Sequence, residues 1–402
     1  MDVELLKKTR TASGDDDLMI LNMGPQHPST HGVLRIILEL DGETVVSATP
    51  DIGFLHTGIE KTIEHKTYTQ ALTLTDRMDY LAPLSNNLAF CLSAEKLLDL
   101  EIPPRAQVVR VIMTELTRLN SHLVWLGTHA IDIGAMSMLL YAFREREMIL
   151  GIYELVSGQR MMSTYFRVGG LADDIPPDFE SRVREILRVF PSRIEDYEGL
   201  LAANPIWLKR TRGVGVVDTA TALDLGLTGP ALRATGLAYD CRKASPYTGY
   251  DRYDFSIPTE RQGDVYARYR VRVNEMRESL AIIEQALGDI PDGDFMARKR
   301  GVTPPPKKAV VTEMEALIHH FKWVSEGFKV PAGEAYVPIE SPKGEMGFYM
   351  VSDGGVQPYR AKCRPPCFVN LSALSKLVEG RLVADVVAVI GSLDIVLGEI
   401  DR

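Results

Sequence analysis

Apolar and polar positions divide the chain into stretches of different period. Residues 18–23 and 33–40 are short apolar runs, and Asp41-Gly42 joins the second to residues 43–49. Asp-Gly between such runs is a strong hairpin signal, so the first fifty residues are predicted to form an antiparallel sheet. Gly24-Pro25-Gln26-His27-Pro28-Ser29-Thr30-His31-Gly32 lies between the first two runs, which puts both histidines on a loop. From Pro103-Pro104 onward the period changes: Val108, Ile112, Leu116, Leu119, Leu123 and Leu126 recur at three- and four-residue steps, the mark of one buried helical face. Residues 131–134 interrupt this helix and 138–156 resume as a second. Further helices are predicted over 179–189, 193–202 and 264–287, the last with Arg268, Arg270, Arg272 and Arg277 among apolar positions.

Residues 291–308, carrying Gly, Pro and basic side chains, read as a linker or exposed loop. A short helix over 314–323 then leads to strands at 335–340 and 346–351, joined by a turn at Lys343-Gly344. The predicted fold class is α+β, a central helical bundle with antiparallel β strands contributed by the N- and C-terminal regions. The expected division is 1–60 (β region with the histidine loop), 61–290 (helical body) and 291–402 (linker and second α+β region).

Composition narrows the function. The 402 residues carry 45 basic and 54 acidic side chains, a net charge of −9. The dense basic runs, Arg298-Lys299-Arg300 and Lys307-Lys308, are too small for the stripe that phosphate neutralisation needs, so no nucleic-acid partner is expected. Four cysteines in a chain of this length fit a reducing compartment, and the N-terminal residues have no apolar signal-peptide core. Spans 122–143 and 383–398 are apolar, but His122, His129 and Asp132 in the first and Asp385 and Asp394 in the second argue against membrane crossing.

Among candidate sites, nucleophile-elbow and phosphate-loop motifs are missing, and Gly213-Val214-Gly215 lacks the third glycine of a dinucleotide fingerprint. Cys363 and Cys367 have three residues between them and no second pair at metal spacing, so no metal site is expected. Histidines 319 and 320 are expected to face solvent. Pro28 prevents His27 and His31 from sharing a helix face; the loop either caps nearby backbone or pushes an imidazole into a cavity. Asp76-Arg77-Met78-Asp79-Tyr80 reads as an ion-paired helix start or as a site. Asp132 falls in the apolar run 130–135, where a carboxylate must cap a helix or find a cation or histidine.

Taken together, Asn22-Met23-Gly24-Pro25-Gln26-His27-Pro28-Ser29-Thr30-His31-Gly32-Val33, Asp76-Arg77-Met78-Asp79-Tyr80 and residues 391–402 resemble the D-type subunits of NADH:quinone oxidoreductase, respiratory complex I. Gly53-Phe54-Leu55-His56-Thr57-Gly58, residues 165–170, 232–236 and 351–355 agree with it, nearly end to end. The resemblance implies a subunit without a redox centre of its own. It would form one wall of a quinone chamber beside a small subunit that holds the terminal [4Fe–4S] cluster. The implied headgroup ligands are His31 and Tyr80, with Asp132 paired to the histidine; Arg77, Thr57 and Met162 fall near the partner's cluster.

Phenol and imidazole placed across a quinone ring can polarise its carbonyls and supply protons as it is reduced. The other implied partners are the C-type subunit, a ferredoxin-like subunit and the membrane subunit of the quinone channel, with the chain peripheral on the cytoplasmic face of the cell inner membrane. The chain also resembles the large subunit of [NiFe] hydrogenases, but regions 53–58 and 394–399, where that family has its cysteine pairs, contain no cysteine. A scaffold without a site is the third reading. Met162 stands where many members have a histidine and Thr57 where some have an arginine; both changes imply a lower cluster potential and a low-potential acceptor such as menaquinone.

Overall fold

The computed structural model describes residues 8–10, 17–27 and 32–402. His31, the first of the expected quinone ligands, lies outside the described residues, as do Pro28, Ser29 and Thr30.

The N-terminal sheet has the order β1 (Lys8–Arg10), β2 (Asp17–Met23), β3 (Arg35–Asp41) and β4 (Thr44–Asp51), all antiparallel. Gly42 makes the β3–β4 turn at φ 58°, a left-handed conformation open to glycine. Alternation puts Ile36, Leu38 and Leu40 on one face, where they are buried with Val45 and Ala48 against Leu371, Leu374, Val386, Val389 and Ile390. A two-stranded ribbon, β5 (Phe166–Arg167) and β6 (Gly170–Leu171), follows in the middle of the chain. The third sheet is β7 (Gly333–Ser341), β8 (Gly344–Ser352) and β9 (Arg360–Arg364); the last, which carries Cys363, has no signal in the apolar pattern.

The helical body is built on Pro83–Leu98, Pro104–Asp132, Ser137–Ser157, Phe179–Leu201 and Val265–Gly288. Pro104–Asp132 is buried on every side rather than on one face, because its charged residues are paired inside the protein. Arg110 meets Glu95 at 2.6 Å, Arg118 meets Glu115 at 3.1 Å and His122 meets Glu275 at 2.9 Å. The expected helices at 179–189 and 193–202 are one helix with Pro191 inside it. Phe179, Val183, Ile186, Phe190, Ile194, Tyr197 and Leu201 form an unbroken buried stripe across the proline, and burial of that stripe outweighs the lost hydrogen bond.

Residues 291–308 pack onto the body: Met296 bridges to Gly170, and Lys299 Nζ donates to the Leu98 carbonyl at 2.6 Å. On the helix Met314–Ser325, His319 and His320 are half-buried rather than solvent-facing; His319 Nε2 accepts the Gly301 N–H at 3.2 Å. Its outer face leaves Met314, Leu317, Ile318, Phe321 and Val324 exposed. Among the described residues, no helix is long and apolar enough to cross a membrane.

Candidate functional site

The short helix Leu397–Asp401 gathers the segments that the motifs singled out. Asp394, at φ 54°, ends the helix Val383–Leu393 and turns the chain toward it. Asp401 accepts the Gly53 N–H at 2.9 Å and the Leu55 N–H at 2.6 Å, and the Arg402 carbonyl accepts the Gly58 N–H at 3.1 Å. The loop 53–58, with Thr57 exposed upon it, is thereby fixed. Gly398 faces the other segment: a Cβ there would stand 2.6 Å from the Met78 carbonyl oxygen, 2.7 Å from that of Arg77 and 3.4 Å from Tyr80 Cε1. Only a residue without a side chain allows this approach.

Tyr80 is half-buried beside Leu81, and both border the apolar core under the N-terminal sheet. Val33, Leu55 and Ile133 border that core too, so the far end of the histidine loop, the 53–58 loop and the residue after Asp132 converge on it. Asp132 itself is half-buried at the last position of its helix, less enclosed than its apolar sequence neighbours imply. Burial raises the Tyr80 phenol above its ordinary 10.0, and the Asp79 carboxylate adds to this against the opposing Lys343 ammonium. The phenol is therefore neutral at pH 7, a donor that holds its proton until a strong base faces it.

Arg77 is exposed, anchored by a 2.5 Å hydrogen bond from Nη1 to the Thr73 carbonyl. Its neighbour Asp76 is buried and accepts hydrogen bonds from Thr164 Oγ1 and, at 2.6 Å, from Asn87. Desolvation lifts the Asp76 carboxyl from 3.8 to about 6. The Asp76–Thr164 bond ties the Arg77–Tyr80 loop to the segment of Met162, whose carbonyl also accepts from Thr164 at 3.5 Å.

Sequence reasoning missed the ion cluster behind Tyr80. Lys343, read as a turn residue, is fully buried; its Nζ lies 3.0 Å from Asp79 Oδ2, 3.8 Å from Asp394 Oδ2 and 2.7 Å from Ser121 Oγ. Arg272 Nε reaches Asp394 at 4.0 Å. Burial raises Asp394 from 3.8 to about 6 and Glu399 from 4.5 to about 8. The signal was present in part: Asp394 and Glu399 interrupt an apolar run as Asp132 does. Nothing marked Lys343, since a lysine on a two-strand turn is ordinarily solvated.

A cavity of about 810 Å³ lies elsewhere, lined by Leu72, Arg167, Phe295, Met296, Trp323 and Phe328 among others, and Tyr80 is not part of it. Cys363 and Cys367 are buried free thiols; the Cys363 N–H donates to Glu60 and that of Cys367 to Glu399. Among the described residues, no group of three or more His, Cys, Asp or Glu side chains is arranged to hold a metal ion.

Comparison with known proteins decides the family. The family described as respiratory-chain NADH dehydrogenase, 49 kDa subunit, matches residues 132–402. The second D-type subunit of NADH-quinone oxidoreductase in Chloroflexus aurantiacus is 61% identical over 393 residues, covering 97% of this chain and 96% of that protein. The chain belongs to the 49 kDa subunit family of respiratory-chain NADH dehydrogenase. The first D-type subunit of Solibacter usitatus is 62% identical over 384 residues (96% of this chain, 94% of that protein), and the D-type subunit of Geobacter sulfurreducens 58% over 386 (96% and 99%). As a member of the 49 kDa family the chain is one subunit of an oxidoreductase complex, with other complex I subunits as its partners. The family match begins at Asp132 and contains Met162, Lys343, Asp394 and Glu399.

Proposed function

We propose that this protein forms one wall of the chamber in which the complex reduces quinone, with Tyr80 and His31 as the two proton donors to the headgroup and Asp132 as the partner of His31. The observation that carries this reading is the position of Tyr80: a neutral, half-buried phenol held at the meeting point of the loops 53–58, 76–80 and 397–401. A chamber shared with a second subunit agrees with a Tyr80 that lies outside the large cavity of this chain, because the other wall belongs to the partner.

Electrons would arrive from NADH through a [4Fe–4S] cluster on the adjoining small subunit, with Arg77, Thr57 and Met162 on the side nearest it. Quinone is then substrate rather than resident cofactor. Two-electron reduction makes both quinone oxygens strongly basic, and a phenol and an imidazole meet them from opposite ends. Asp132 would favour the protonated imidazole and fix its tautomer. The C-type subunit, a ferredoxin-like subunit and the quinone-channel membrane subunit make up the rest of its surroundings, with proton translocation in the membrane part and this chain peripheral on its cytoplasmic face. The exposed stripe Met314, Leu317, Ile318, Phe321 and Val324 supports burial against another subunit.

A photoreactive quinone analogue added to the assembled complex tests the reading. It should label the 76–81 segment in competition with quinone, and labelling confined to other segments or subunits would overturn it. Met162 binds no proton, so the cluster's potential should fall with pH by much less than ~59 mV per unit; Met162 and the uncharged Thr57 would together keep that potential low, which favours a low-potential quinone such as menaquinone. A redox titration of that cluster against pH with the full slope would refute this.

A further inference from the structure

Behind Tyr80 the protein buries more carboxyl groups than cations. Asp79, Asp394 and Glu399 are all buried. Lys343 and Arg272 stand within 4.0 Å of the first two, whereas Glu399 Oε2 accepts the Cys367 backbone N–H at 3.2 Å and has no cation in salt-bridge range among the described residues. The charged or titratable groups acting on Glu399 come from four elements: Asp79 on the Tyr80 loop, Lys343 on the β7–β8 turn, Cys363 on β9 and Cys367 on the helix Pro366–Ser372. A buried carboxylate without a counter-ion is costly, and a proton removes the cost.

Placement gives that proton a destination. Glu399 follows Gly398, the residue packed against the Tyr80 ring edge. Asp79 Oδ2 and Asp394 Oδ2 both face Lys343 Nζ, at 3.0 Å and 3.8 Å, so the two carboxylates share one ammonium inside the cluster. Asp79 is adjacent to Tyr80 in the chain and acts electrostatically on both Tyr80 and Glu399.

We propose that Glu399 is the proton reserve of Tyr80, a buried carboxylic acid that restores the phenol, by way of Asp79, after the phenol has protonated the reduced quinone. The inference rests on the donor role proposed for Tyr80. In the first step the Tyr80 O–H bond breaks and its proton joins a quinone oxygen whose electrons come from NADH. In the second, the Glu399 O–H bond breaks and its proton forms an O–H bond on the Asp79 carboxylate; that bond then breaks as a proton joins the phenolate oxygen, Asp79 is again a carboxylate and no electron moves. Glu399 remains as a carboxylate near Lys343 until solvent refills it. With Glu399 raised to about 8 and Tyr80 above 10.0, the second step runs downhill.

The test is Glu399→Gln in the assembled complex, with NADH:quinone turnover followed against pH. The quinone KM should hold while kcat drops about tenfold or more. Wild-type kcat should stay level up to about pH 8, whereas that of the variant declines already from neutral pH. Glu399→Asp, which still carries a proton, should restore the plateau. Infrared difference spectra of the wild type on reduction should show loss of a protonated carboxyl band, and Glu399→Asp should shift it. Wild-type kcat and pH profile in Glu399→Gln, alongside an inactive Tyr80→Phe, would overturn this inference alone. If Glu399→Gln does not assemble, a carboxyl band that is missing or unmoved in Glu399→Asp overturns it equally. A fully active Tyr80→Phe would instead remove the donor reading beneath it.

Discussion

Lys343 Nζ lies 3.0 Å from Asp79 Oδ2 with both side chains buried, so a lysine on a strand-to-strand turn is the counter-ion of the loop that carries Tyr80. Lys343→Met should leave Asp79 and Asp394 facing each other with Arg272 alone to answer them. Removing one member of a buried pair costs ~3–5 kcal/mol. The variant complex should melt well below the wild type or incorporate less of this chain. Equal melting temperatures would show that the lysine does not hold the cluster.

Gly398→Ala should displace the Tyr80 loop, because the new Cβ would stand 2.6 Å and 2.7 Å from two carbonyl oxygens of rigid backbone. A misplacement near 1 Å at a reacting group costs about tenfold to a hundredfold in rate. Quinone reduction should fall by that factor while NADH oxidation by an artificial acceptor upstream is kept. Unaltered quinone turnover would mean that this contact does not position Tyr80.

Pro191→Ala should stabilise the protein. The proline lies inside Phe179–Leu201 on the exposed side, without the N–H that would bond back one turn. Alanine restores the bond and is favoured by up to ~3 kcal/mol in a helix interior. A rise in melting temperature is expected, and a fall would show that the surrounding structure requires the proline's geometry.

Asp76 gives the fold a pH dependence. Its carboxyl is raised from 3.8 to about 6, so the native state favours the protonated form. The stabilisation is full below pH 3.8 and is lost as pH rises through about 6, a change of ~3 kcal/mol at 1.36 kcal/mol per unit. Asp76→Asn should remove that dependence, so the stability difference between variant and wild type should vary across this window. Parallel pH profiles would contradict the assignment.

Much of the fold was legible because period alone carries it. The Asp41-Gly42 hairpin, the helix from Pro104 and the strands around Lys343-Gly344 all stand where apolar spacing places them. Charge was the harder part. A pattern treats Arg118, Arg272 and Lys343 as surface residues, yet each is buried with a carboxylate supplied from elsewhere in the fold or a turn away, and no local rule announces that partner. Pro191 misled for the opposite reason: the local rule against proline in helices was outweighed by a seven-residue stripe of buried side chains. The candidates Tyr80, Arg77 and Asp132 were singled out through motif resemblance. Asp394 and Glu399 stand out in the sequence only as acids interrupting an apolar run, and their grouping with Asp79 and Lys343 behind Tyr80 needed the three-dimensional contacts.

The most direct test of the central claim is Tyr80→Phe in the assembled complex, which keeps the ring and its packing and removes only the phenolic proton. NADH:quinone turnover should fall about a hundredfold, with incorporation of this chain and upstream NADH oxidation unchanged. Wild-type quinone turnover in that variant would contradict the account.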